Sequence, residues 1–297
     1  RHRDFRSHYP SQQRTRYFPI GKFNLYYENA TIDQINGLLK DYCLLIECVF
    51  TNIVVKDTSV TFPILQTSKC IEGRVGQIRH VSDNGRILEL TGTTCIVCTE
   101  LDLKWILRQY HIQERTYARV YAARKGLLPP FIVETIDKYF LGKTKYKILE
   151  QQETDLEKKL DFSKSLMKSK NGLNGIYGCT AQNPLKEKII MDASGVKVWH
   201  KQEIKDIQGA LDKFYSNRNS FMRYQWGCWC TSHARDELLT FCYDVIGVEH
   251  CLYMDTDSIF YISTPEIEER INAYNEKLLA RSERMGAFIE YEGEKVH

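Results

Sequence analysis

Two carboxylates one residue apart, near the C-terminal end, are the residues of this sequence with the clearest chemical potential. Asp255 and Asp257 lie between two apolar, β-prone runs, 251–253 and 259–262. This pattern predicts two strands joined by a tight acidic turn. By itself the motif is more typical of an ordinary turn, since aspartate and serine are common there. Alternatively, the two carboxylates could supply half of a divalent-metal site, which requires a third carboxylate elsewhere.

A candidate for the third carboxylate is Asp4, in the N-terminal stretch R-H-R-D-F-R-S-H-Y-P-S. We expect Asp4 near the end of a strand, before a turn built on Tyr9-Pro10-Ser11. Asp4 and the Asp255/Asp257 turn could converge on divalent ions with hard oxygen ligands, in the manner of Mg²⁺. A pair of such ions is the usual device for an in-line displacement at phosphorus.

A helix predicted over about 162–177 carries an unusual face. Lys170, Asn174 and Tyr177 follow the i, i+4, i+7 spacing of one helix side, and Gly175 and Gly178 lie beside them. A frayed surface helix is the alternative, but each interior glycine costs about 1 kcal/mol relative to alanine. That cost favours a functional face, with a phosphate at the lysine and a base stacked on the tyrosine. Together with the carboxylates, this face indicates nucleotidyl transfer.

Composition is that of an ordinary soluble globular protein. The chain has 297 residues, 43% hydrophobic and 27% charged, with a net charge of +3. It has no apolar run long enough for a bilayer and no signal-peptide pattern. It starts at Arg1 rather than methionine, which indicates a piece of a longer protein. Two basic clusters fit either a phosphate-backbone partner or solvated helix faces: Arg1, Arg3, Arg6, Arg14 and Arg16, and Lys138, Lys143, Lys145 and Lys147.

The ten cysteines do not predict a disulfide scaffold or a zinc site. Cys95-x-x-Cys98 and Cys228-x-Cys230 could be halves of a zinc site, which needs four ligands at fitting spacing. No further well-spaced Cys/His pair stands beside either, so we interpret them as ordinary reduced thiols and consider zinc unsupported.

Periodicity and turn residues predict a mixed order of elements. The region 18–124 is β-leaning, with strands at 44–50, 52–55, 86–91 and 95–98 separated by Gly and Asn turns, and a short helix at 100–110 follows. Pro129-Pro130 opens a helix, a polar connector at 150–159 leads to the second helix, and the two should form an αα-hairpin. Beyond it we expect short strands with turns at Asn183-Pro184 and Ser194-Gly195, a helix over 220–246, the acidic hairpin, and a charged helix over 267–284.

Three motifs, in order, resemble the polymerase motifs of family B DNA polymerases. They are D-F-R-S-H-Y-P-S, K-N-G-L-N-G-I-Y-G and Y-M-D-T-D-S; the family patterns run D-x-x-S-L-Y-P-S, K-x-x-x-N-S-x-Y-G and Y-x-D-T-D-S. The motifs bracket most of the chain, from Asp4 to Ser258. T-E-L-D-L-K-W-I-L-R-Q-Y and G-L-L-P-P-F-I-V-E-T-I-D-K-Y-F-L-G-K-T resemble in particular the protein-primed branch of phages and linear plasmids.

The resemblance implies an α/β (α+β) fold: a polymerase palm with an antiparallel sheet and packed helices, plus helical fingers and a β-rich insertion. The expected division is 1–17 for the first part of the palm, 18–125 for the insertion, 126–178 for the fingers hairpin, 179–207 for a small second insertion, and 208–297 for the second part of the palm.

The resemblance also implies roles for the carboxylates. Asp4 and Asp257 would be the principal ligands of two Mg²⁺ ions, for which Mn²⁺ can substitute, and Asp255 would be an assisting carboxylate. Thr256 and Ser258 are expected to support the geometry of the hairpin rather than to react.

On the palm side of the implied nucleotide site, Tyr9 would lie under the sugar of the incoming nucleotide and exclude a 2′-hydroxyl. The backbone amides around Ser7 and His8 would meet the triphosphate. From the fingers, Lys170 and Lys143 would reach the same triphosphate. The remaining fingers positions are Asn174 and Tyr177, which would line the nascent base pair, and Gly175 and Gly178, which support them.

Three residues depart from the family pattern. His8 stands where leucine is usual and would add a titratable group beside the triphosphate site. Gly175 replaces the usual serine, and Met254 replaces a small residue and could press on the primer terminus. These changes bear on fidelity and nucleotide affinity more than on the chemistry.

The predicted activity is template-directed DNA synthesis, in which a primer 3′-hydroxyl or a protein hydroxyl attacks a deoxynucleoside triphosphate. Expected partners are primer-template DNA, dNTPs and, as an alternative primer, a terminal protein; a membrane partner is not expected. The expected location is the host cytoplasm, or an organelle if a linear plasmid encodes the protein.

Two alternatives stay open at this point. The chain could be a catalytically inert nucleic-acid-binding palm and fingers fragment, because no exonuclease carboxylates precede Asp4, no thumb follows His297, and the family's basic Lys-x-Tyr segment is absent. An RNA-dependent polymerase is disfavoured by the D-T-D spacing and by Tyr9, since reverse transcriptases typically carry adjacent aspartates.

Overall fold

The N-terminal motif forms a strand and a helix rather than a strand and a turn. The structure, a computed structural model, describes residues 1–57, 62–70, 78–183, 185, 188–191, 199–202, 204–217 and 223–296. Strand β1 (His2–Asp4) leads through Ser7, which is left-handed (φ 49°), into helix α1 (His8–Thr15). The turn predicted at Tyr9-Pro10-Ser11 is therefore wrong. Proline fits the first turn of a helix because the N–H it lacks has no intrahelical acceptor there.

The β-rich region folds into an antiparallel sheet covered by two helices. Its elements are β2 (Phe18–Ala30), α2 (Ile32–Leu38), β3 (Tyr42–Val55), β4 (Arg79–Asp83), β5 (Arg86–Thr99), α3 (Glu100–Gln109) and β6 (Tyr110–Gly126). Within the described residues the strand order is β2-β6-β3-β5-β4, and a 3₁₀ turn spans Thr67–Lys69. The core of this region joins the inward side chains of the strands to Ile35 of α2 and Ile106 of α3.

Two pairs of predicted short strands are in fact continuous. The segments predicted at 44–50 and 52–55 are both in β3, and those at 86–91 and 95–98 are both in β5. Asn52 (φ 50°) and Gly92 (φ 107°) lie where the β3–β5 register shifts, and the Gly92 N–H donates to Asn52 Oδ1 at 2.9 Å. The Gly and Asn residues therefore make a β-bulge instead of a turn, because a bulge accommodates left-handed residues without ending the strands.

The predicted helical hairpin is present, with a shorter connector than expected. Helix α4 (Pro130–Gln152) and helix α5 (Leu156–Thr180) are joined by residues 153–155 rather than 150–159. Asp155 caps α5 by accepting hydrogen bonds from the Glu157 and Lys158 N–H groups, both at 3.0 Å. A Cβ at Gly172 would collide with the Tyr139 ring, so this glycine allows the two helices to pack closely.

The region after the hairpin contains β7 (Lys188–Met191), β8 (Trp199–Gln202), α6 (Ile207–Ser216) and α7 (Tyr224–Thr240), which continues as a π-helical segment, Phe241–Ile246. β7 and β8 pair antiparallel. The turn expected at Ser194-Gly195, Pro184 of the other predicted turn, and the first residues of the helix expected over 220–246 lie outside the described residues.

The acidic hairpin belongs to a second, smaller sheet. Strands β9 (Cys251–Asp255) and β10 (Ser258–Tyr261) follow a 3₁₀ turn at Val248–His250, and among the described residues β1 pairs with β10 to give the order β1-β10-β9. Helix α8 (Pro265–Arg284) and the hairpin β11 (Ile289–Tyr291) and β12 (Glu294–Val296) complete the described chain. Ile259 and Tyr261 pack against the π-helical segment and α8 in a core of their own.

The fold is thus α/β in content with antiparallel sheets and packed helices, as predicted. No helix in the described part of the chain is both long enough and apolar enough to cross a bilayer.

Candidate active site

Strand register places two of the predicted carboxylates in one row. Asp4 pairs with Ser258, and Ser258 pairs with Asp255. Residues directly opposite in an antiparallel sheet point to the same face, so these three side chains share the outer face of the small sheet. Ile259, the next residue of β10, is 1% exposed and belongs to the opposite face. Alternation along a short strand therefore separates charged from core positions.

The third carboxylate, Asp257, lies in the turn itself. Thr256 takes a left-handed conformation (φ 49°), and the Asp257 carbonyl accepts a hydrogen bond of 2.7 Å from the Phe5 N–H. The hydroxyls of the turn bond within it: Thr256 Oγ1 donates to Asp255 Oδ1 at 3.0 Å, and Ser258 Oγ donates to the Asp255 carbonyl at 3.3 Å. These bonds suit the supporting role predicted for Thr256 and Ser258.

The donor chemistry of the carboxylates fits a hard cation. All three side chains are exposed, and carboxylate oxygens are the ligands that Mg²⁺ prefers. Within the described residues no group of three or more His, Cys, Asp or Glu side chains is gathered as a metal site. Instead Asp4 Oδ1 lies 2.9 Å from His2 Nε2, while Asp255 Oδ1 accepts the Thr256 hydroxyl. If Asp4 and Asp255 coordinated one ion together, the contact of Asp4 with His2 and that of Asp255 with Thr256 would both have to change.

A cluster of cations extends from the α4–α5 hairpin to the start of α1. Lys143 Nζ donates to Ser7 Oγ at 2.6 Å, which joins α4 to the residue that precedes α1. Burial lowers the pKa of Lys143, and the nearby charges of Lys170, Arg6 and Lys147 lower it further. An anion at this place would relieve the mutual repulsion of these four cations.

Arg6 and Lys147 were not among the residues predicted for the nucleotide site. Lys147 follows Lys143 by one helical turn of α4, so its spacing could have indicated the shared face. Arg6 precedes Ser7, but no local pattern connects it with a helix more than 130 residues away.

Tyr9 and Tyr177 stack on each other. Their ring centroids are 4.3 Å apart with an interplanar angle of 15°, so α1 and α5 meet at this contact. Burial raises the pKa of Tyr9, and the neighbouring Tyr177, Cys230 and Asp257 add to that rise. The sequence did not predict that these two aromatic rings would contact each other.

The predicted face of α5 is solvent-exposed. Lys170 and Asn174 are exposed, whereas Leu173 and Ile176 are buried on the other side of the helix. A Cβ built at Gly175, or at the neighbouring Gly178, would meet no atom within 4 Å. These two glycines are thus not required by packing, unlike the glycine at position 172.

His8 and Met254 both face the interior. The His8 side chain is 2% exposed and stacks on Phe5 at 4.6 Å. Met254 pairs with Ile259 and packs on the core of the small sheet, opposite the carboxylate row. Burial determines the direction of both side chains, and their expected effects on a triphosphate and on a primer terminus stay predictions.

A buried polar network lies behind the hairpin. Glu237 of α7 is 2% exposed and is contacted by Gln12, by Arg16 at 3.2 Å and by Arg281 at 2.8 Å. Burial alone would raise the pKa of Glu237, but the contact with His8 and the charges of Arg281 and Arg16 lower it to about 2. His8, Gln12 and Arg16 follow i, i+4, i+8 spacing, but no local pattern connects them with Glu237 or Arg281, so the sequence did not predict this network.

A cleft of about 950 Å³ lies elsewhere, lined by residues of α2, α3, α7 and α8. Its lining includes Arg16, Lys104, Lys125, His233 and Arg281, and none of the residues predicted for the site.

Comparison with known proteins shows the fold but not the family. No family model matches the chain, and no curated protein matches it. Phi29 DNA polymerase in a ternary complex with primer-template DNA and incoming nucleotide substrates is similar at a TM-score of 0.59 and 18% identity, over 89% of this chain and 38% of that chain. Its post-translocation binary complex with primer-template DNA gives a TM-score of 0.58 and 19% identity, over 88% and 38%.

This chain thus spans little more than a third of the length of the polymerase it resembles. At these identities the similarity concerns structure alone. The chain shares its fold with part of phi29 DNA polymerase.

Proposed function

We propose that this chain is the palm and fingers part of a template-directed DNA polymerase that transfers a nucleotide to a primer 3′-hydroxyl. The observation that supports this most directly is the meeting of three distant segments. Asp4 pairs with Ser258 across the small sheet, Lys143 bonds to Ser7, and Tyr9 stacks on Tyr177. Carboxylates, cations and aromatic rings, each on a different segment, are the groups that transfer of a nucleotide requires.

Asp4 and Asp257, with Asp255 assisting, would hold two Mg²⁺ ions, or Mn²⁺ in their place. When bound, such ions neutralise charge on the reacting phosphate and on the attacking oxygen. The chain's own contribution is to keep the carboxylates on an exposed sheet face, where water can solvate their charge. The left-handed turn at Thr256 sets the direction of Asp257 relative to the strands.

Lys143 and Lys170 would bind the triphosphate, together with the backbone amides around Ser7 and His8. Ser7 precedes the first turn of α1, whose N–H groups have no intrahelical acceptor and favour an anion. Arg6 and Lys147 extend the same cluster and would add to the affinity for the triphosphate.

Tyr9 would support the sugar of the incoming nucleotide, and Asn174 and Tyr177 would line the base pair. The stacked rings form a flat aromatic surface between α1 and α5. An aromatic ring beneath the sugar leaves no room for a 2′-hydroxyl, so the proposed substrates are deoxynucleotides. That the template is DNA is proposed from the resemblance to family B DNA polymerases. Gly175 and Gly178, where a Cβ would meet no atom within 4 Å, would let a base pair approach the helix backbone closely.

Resemblance of 99–110 and 126–144 to the protein-primed branch extends the proposal to a terminal protein whose hydroxyl serves as the first primer. The competing function is a binding module that holds DNA without extending it. The basic cluster and aromatic surface would serve that function equally, whereas the carboxylate row would not.

A primer-extension assay separates these functions. The wild-type chain should extend a labelled primer in the presence of Mg²⁺ and dNTPs. Asp257→Asn should lower the rate by at least about a hundredfold, because metal-held charge stabilisation is worth several kcal/mol. Asp33→Asn, which neutralises an exposed carboxylate of α2, serves as the matched control and should leave the rate unchanged.

Binding of the same primer-template, measured by fluorescence anisotropy, should be alike in all three proteins. Binding without extension by the wild type would favour the inert module, and full activity of Asp257→Asn would contradict the assignment of the carboxylates.

A further inference from the structure

One buried histidine connects the acidic turn with the buried network behind it. The ring of His8 donates from Nδ1 to the Thr256 carbonyl at 3.2 Å. Its other nitrogen, Nε2, lies 3.6 Å from Glu237 Oε2. One ring face stacks on Phe5, with centroids 4.6 Å apart and planes 13° apart. The imidazole is therefore held by a hydrogen bond at Nδ1 and by stacking on one face, and it lies beside a carboxylate at Nε2.

The turn that His8 contacts has a conformation that needs such support. Thr256 is left-handed (φ 49°), which is unusual for a β-branched residue and is maintained only where surrounding contacts determine it. Two successive carbonyls of the turn are bonded to the N-terminal segment: that of Thr256 to His8, and that of Asp257 to the Phe5 N–H. Both bonds act on the peptide groups next to Asp257.

Glu237 gives this histidine a rigid neighbour. Its carboxylate is contacted by Gln12, Arg16 and Arg281 from two other helices, and it is almost completely buried. A carboxylate held by several donors has little freedom to move. The chain of contacts therefore runs from a fixed group on α7, through the His8 ring, to the backbone between Asp255 and Asp257.

We propose that His8 is a positioning residue, which through its Nδ1–H bond to Thr256 holds the acidic turn in the geometry that nucleotidyl transfer requires. This inference rests on the proposed function. The His8 side chain would touch neither the nucleotide nor the primer, because its ring is buried behind the turn.

Two substitutions separate the two edges of the ring. In His8→Asn the side-chain amide can replace Nδ1, so the bond to Thr256 is kept and the contact with Glu237 is lost. In His8→Gln the amide nitrogen can replace Nε2, so the contact with Glu237 is kept and the bond to Thr256 is lost. His8→Leu removes both and restores the residue usual in family B polymerases.

Two measurements apply to the full 297-residue chain. Amide hydrogen exchange of peptides covering 251–262 reports the opening of the turn. Loss of one hydrogen bond should accelerate this exchange by roughly tenfold in His8→Gln and His8→Leu. Steady-state primer extension should show kcat lowered by about the same factor and KM for dNTP nearly unchanged, since the turn positions reacting groups rather than binds substrate. His8→Asn should stay within about threefold of wild type in both measurements.

The results of the three His8 variants, taken together, test the role of His8. If His8→Asn is as impaired as His8→Leu, or His8→Gln behaves as wild type, the bond to Thr256 does not hold the turn and the inference is wrong. Should His8→Leu fail to fold, as judged by circular dichroism, the Asn and Gln variants still give opposite expectations. If wild type extends no primer, the proposed function fails, while hydrogen exchange alone still decides whether His8 holds the turn.

Discussion

The two main antiparallel sheets of the molecule differ in how they are stabilised. The large sheet, β2-β6-β3-β5-β4, is built from strands of up to 17 residues, and its inward side chains, such as Ile46 and Phe50, are completely buried. The sheet with the acidic hairpin is built from strands of 3 to 5 residues and leaves one face open to solvent. Only its inner face, with Ile259 and Tyr261, is packed.

This difference shows where each sheet obtains its stability. A large sheet with its own helices can bury enough apolar area to stabilise itself, whereas a few short strands cannot. The small sheet therefore depends on the π-helical segment and α8, which cover its inner face. An open outer face is also what the carboxylates need, because a charge buried without a partner is costly. The small size of this sheet thus explains both why it depends on neighbouring helices for its stability and why its outer face can present the carboxylates to solvent.

Replacing a phenylalanine by alanine in each of the two sheets should reveal their difference in stability most strongly. Phe50 is 0% exposed in the large sheet and Phe260 is 43% exposed in the small one. Phe50→Ala should lower the free energy of unfolding by about 3–5 kcal/mol, the usual cost of emptying a buried aromatic site. Phe260→Ala should cost about 1 kcal/mol or less, because little apolar area is removed from the interior. Urea denaturation followed by circular dichroism measures both.

Equal losses of stability in the two variants would contradict the contrast between the sheets. As a control for altered DNA contacts, the folded Phe50→Ala protein should bind primer-template as tightly as wild type, because its ring lies in the interior of the insertion.

A pH-dependent contact between α7 and the residue before β2 tests whether the two sheets are coupled. His233 of α7 donates from Nε2 to the Tyr17 carbonyl at 2.9 Å, just before β2 begins. Burial lowers the pKa of His233 to about 4, helped by the charge of Arg16 and opposed by the bond to Tyr17. A lowered folded-state pKa means that the unfolded chain binds the proton more readily.

Stability contributed by neutral His233 should therefore be complete above about pH 6.5 and be lost as the pH falls towards 4, by roughly 3 kcal/mol. His233→Gln keeps a donor for the Tyr17 carbonyl but cannot titrate, so its stability should be flatter over this range. Urea denaturation at pH 7, 5.5 and 4 measures the difference. Equal pH dependence of both proteins would exclude His233 as the cause, and two separate transitions at low pH would show that the sheets unfold independently.

Local sequence predicted the parts of the fold and site that depend on neighbouring residues. The acidic turn, the exposed face of α5 and the opening of α4 by proline all follow from patterns within a few residues. The turn predicted near Asn52 was wrong, because the pairing of β3 with β5 accommodates this residue in a β-bulge. Tertiary pairing therefore outweighed the local preference for a turn. The burial of His8 and its contact with Glu237 depend on packing between distant segments, and no local pattern predicts such a contact.

Within the proposed site, the two stacked tyrosines provide the next test. Tyr9→Ala and Tyr177→Ala both remove the ring stack, but only Tyr9 is proposed to lie under the sugar. Tyr9→Ala should raise ribonucleotide incorporation relative to deoxynucleotide incorporation by at least about tenfold, since one steric contact is worth 1–3 kcal/mol. Tyr177→Ala should leave that ratio near the wild-type value. Competition between labelled rNTP and dNTP gives the ratio, and an equal gain in both variants would assign it to the lost stack instead.

The smallest effect concerns two glycines with opposite requirements. Gly92 in β5 has a φ of 107°, where alanine is strained, whereas a Cβ at Gly175 in α5 meets no atom within 4 Å. Gly92→Ala should therefore destabilise the protein by about 1–2 kcal/mol, and Gly175→Ala should stabilise it by about 0.5–1 kcal/mol through helix propensity.

If the bare face of α5 meets the base pair, Gly175→Ala should also raise KM for dNTP by about twofold or more, because the backbone is then less accessible. Thermal unfolding and single-nucleotide incorporation measure the two effects on the same sample. A gain in stability without any change in KM would mean that Gly175 is only a weak helix position, whereas a gain in stability with a loss of affinity would explain why a glycine stands on an open helix face.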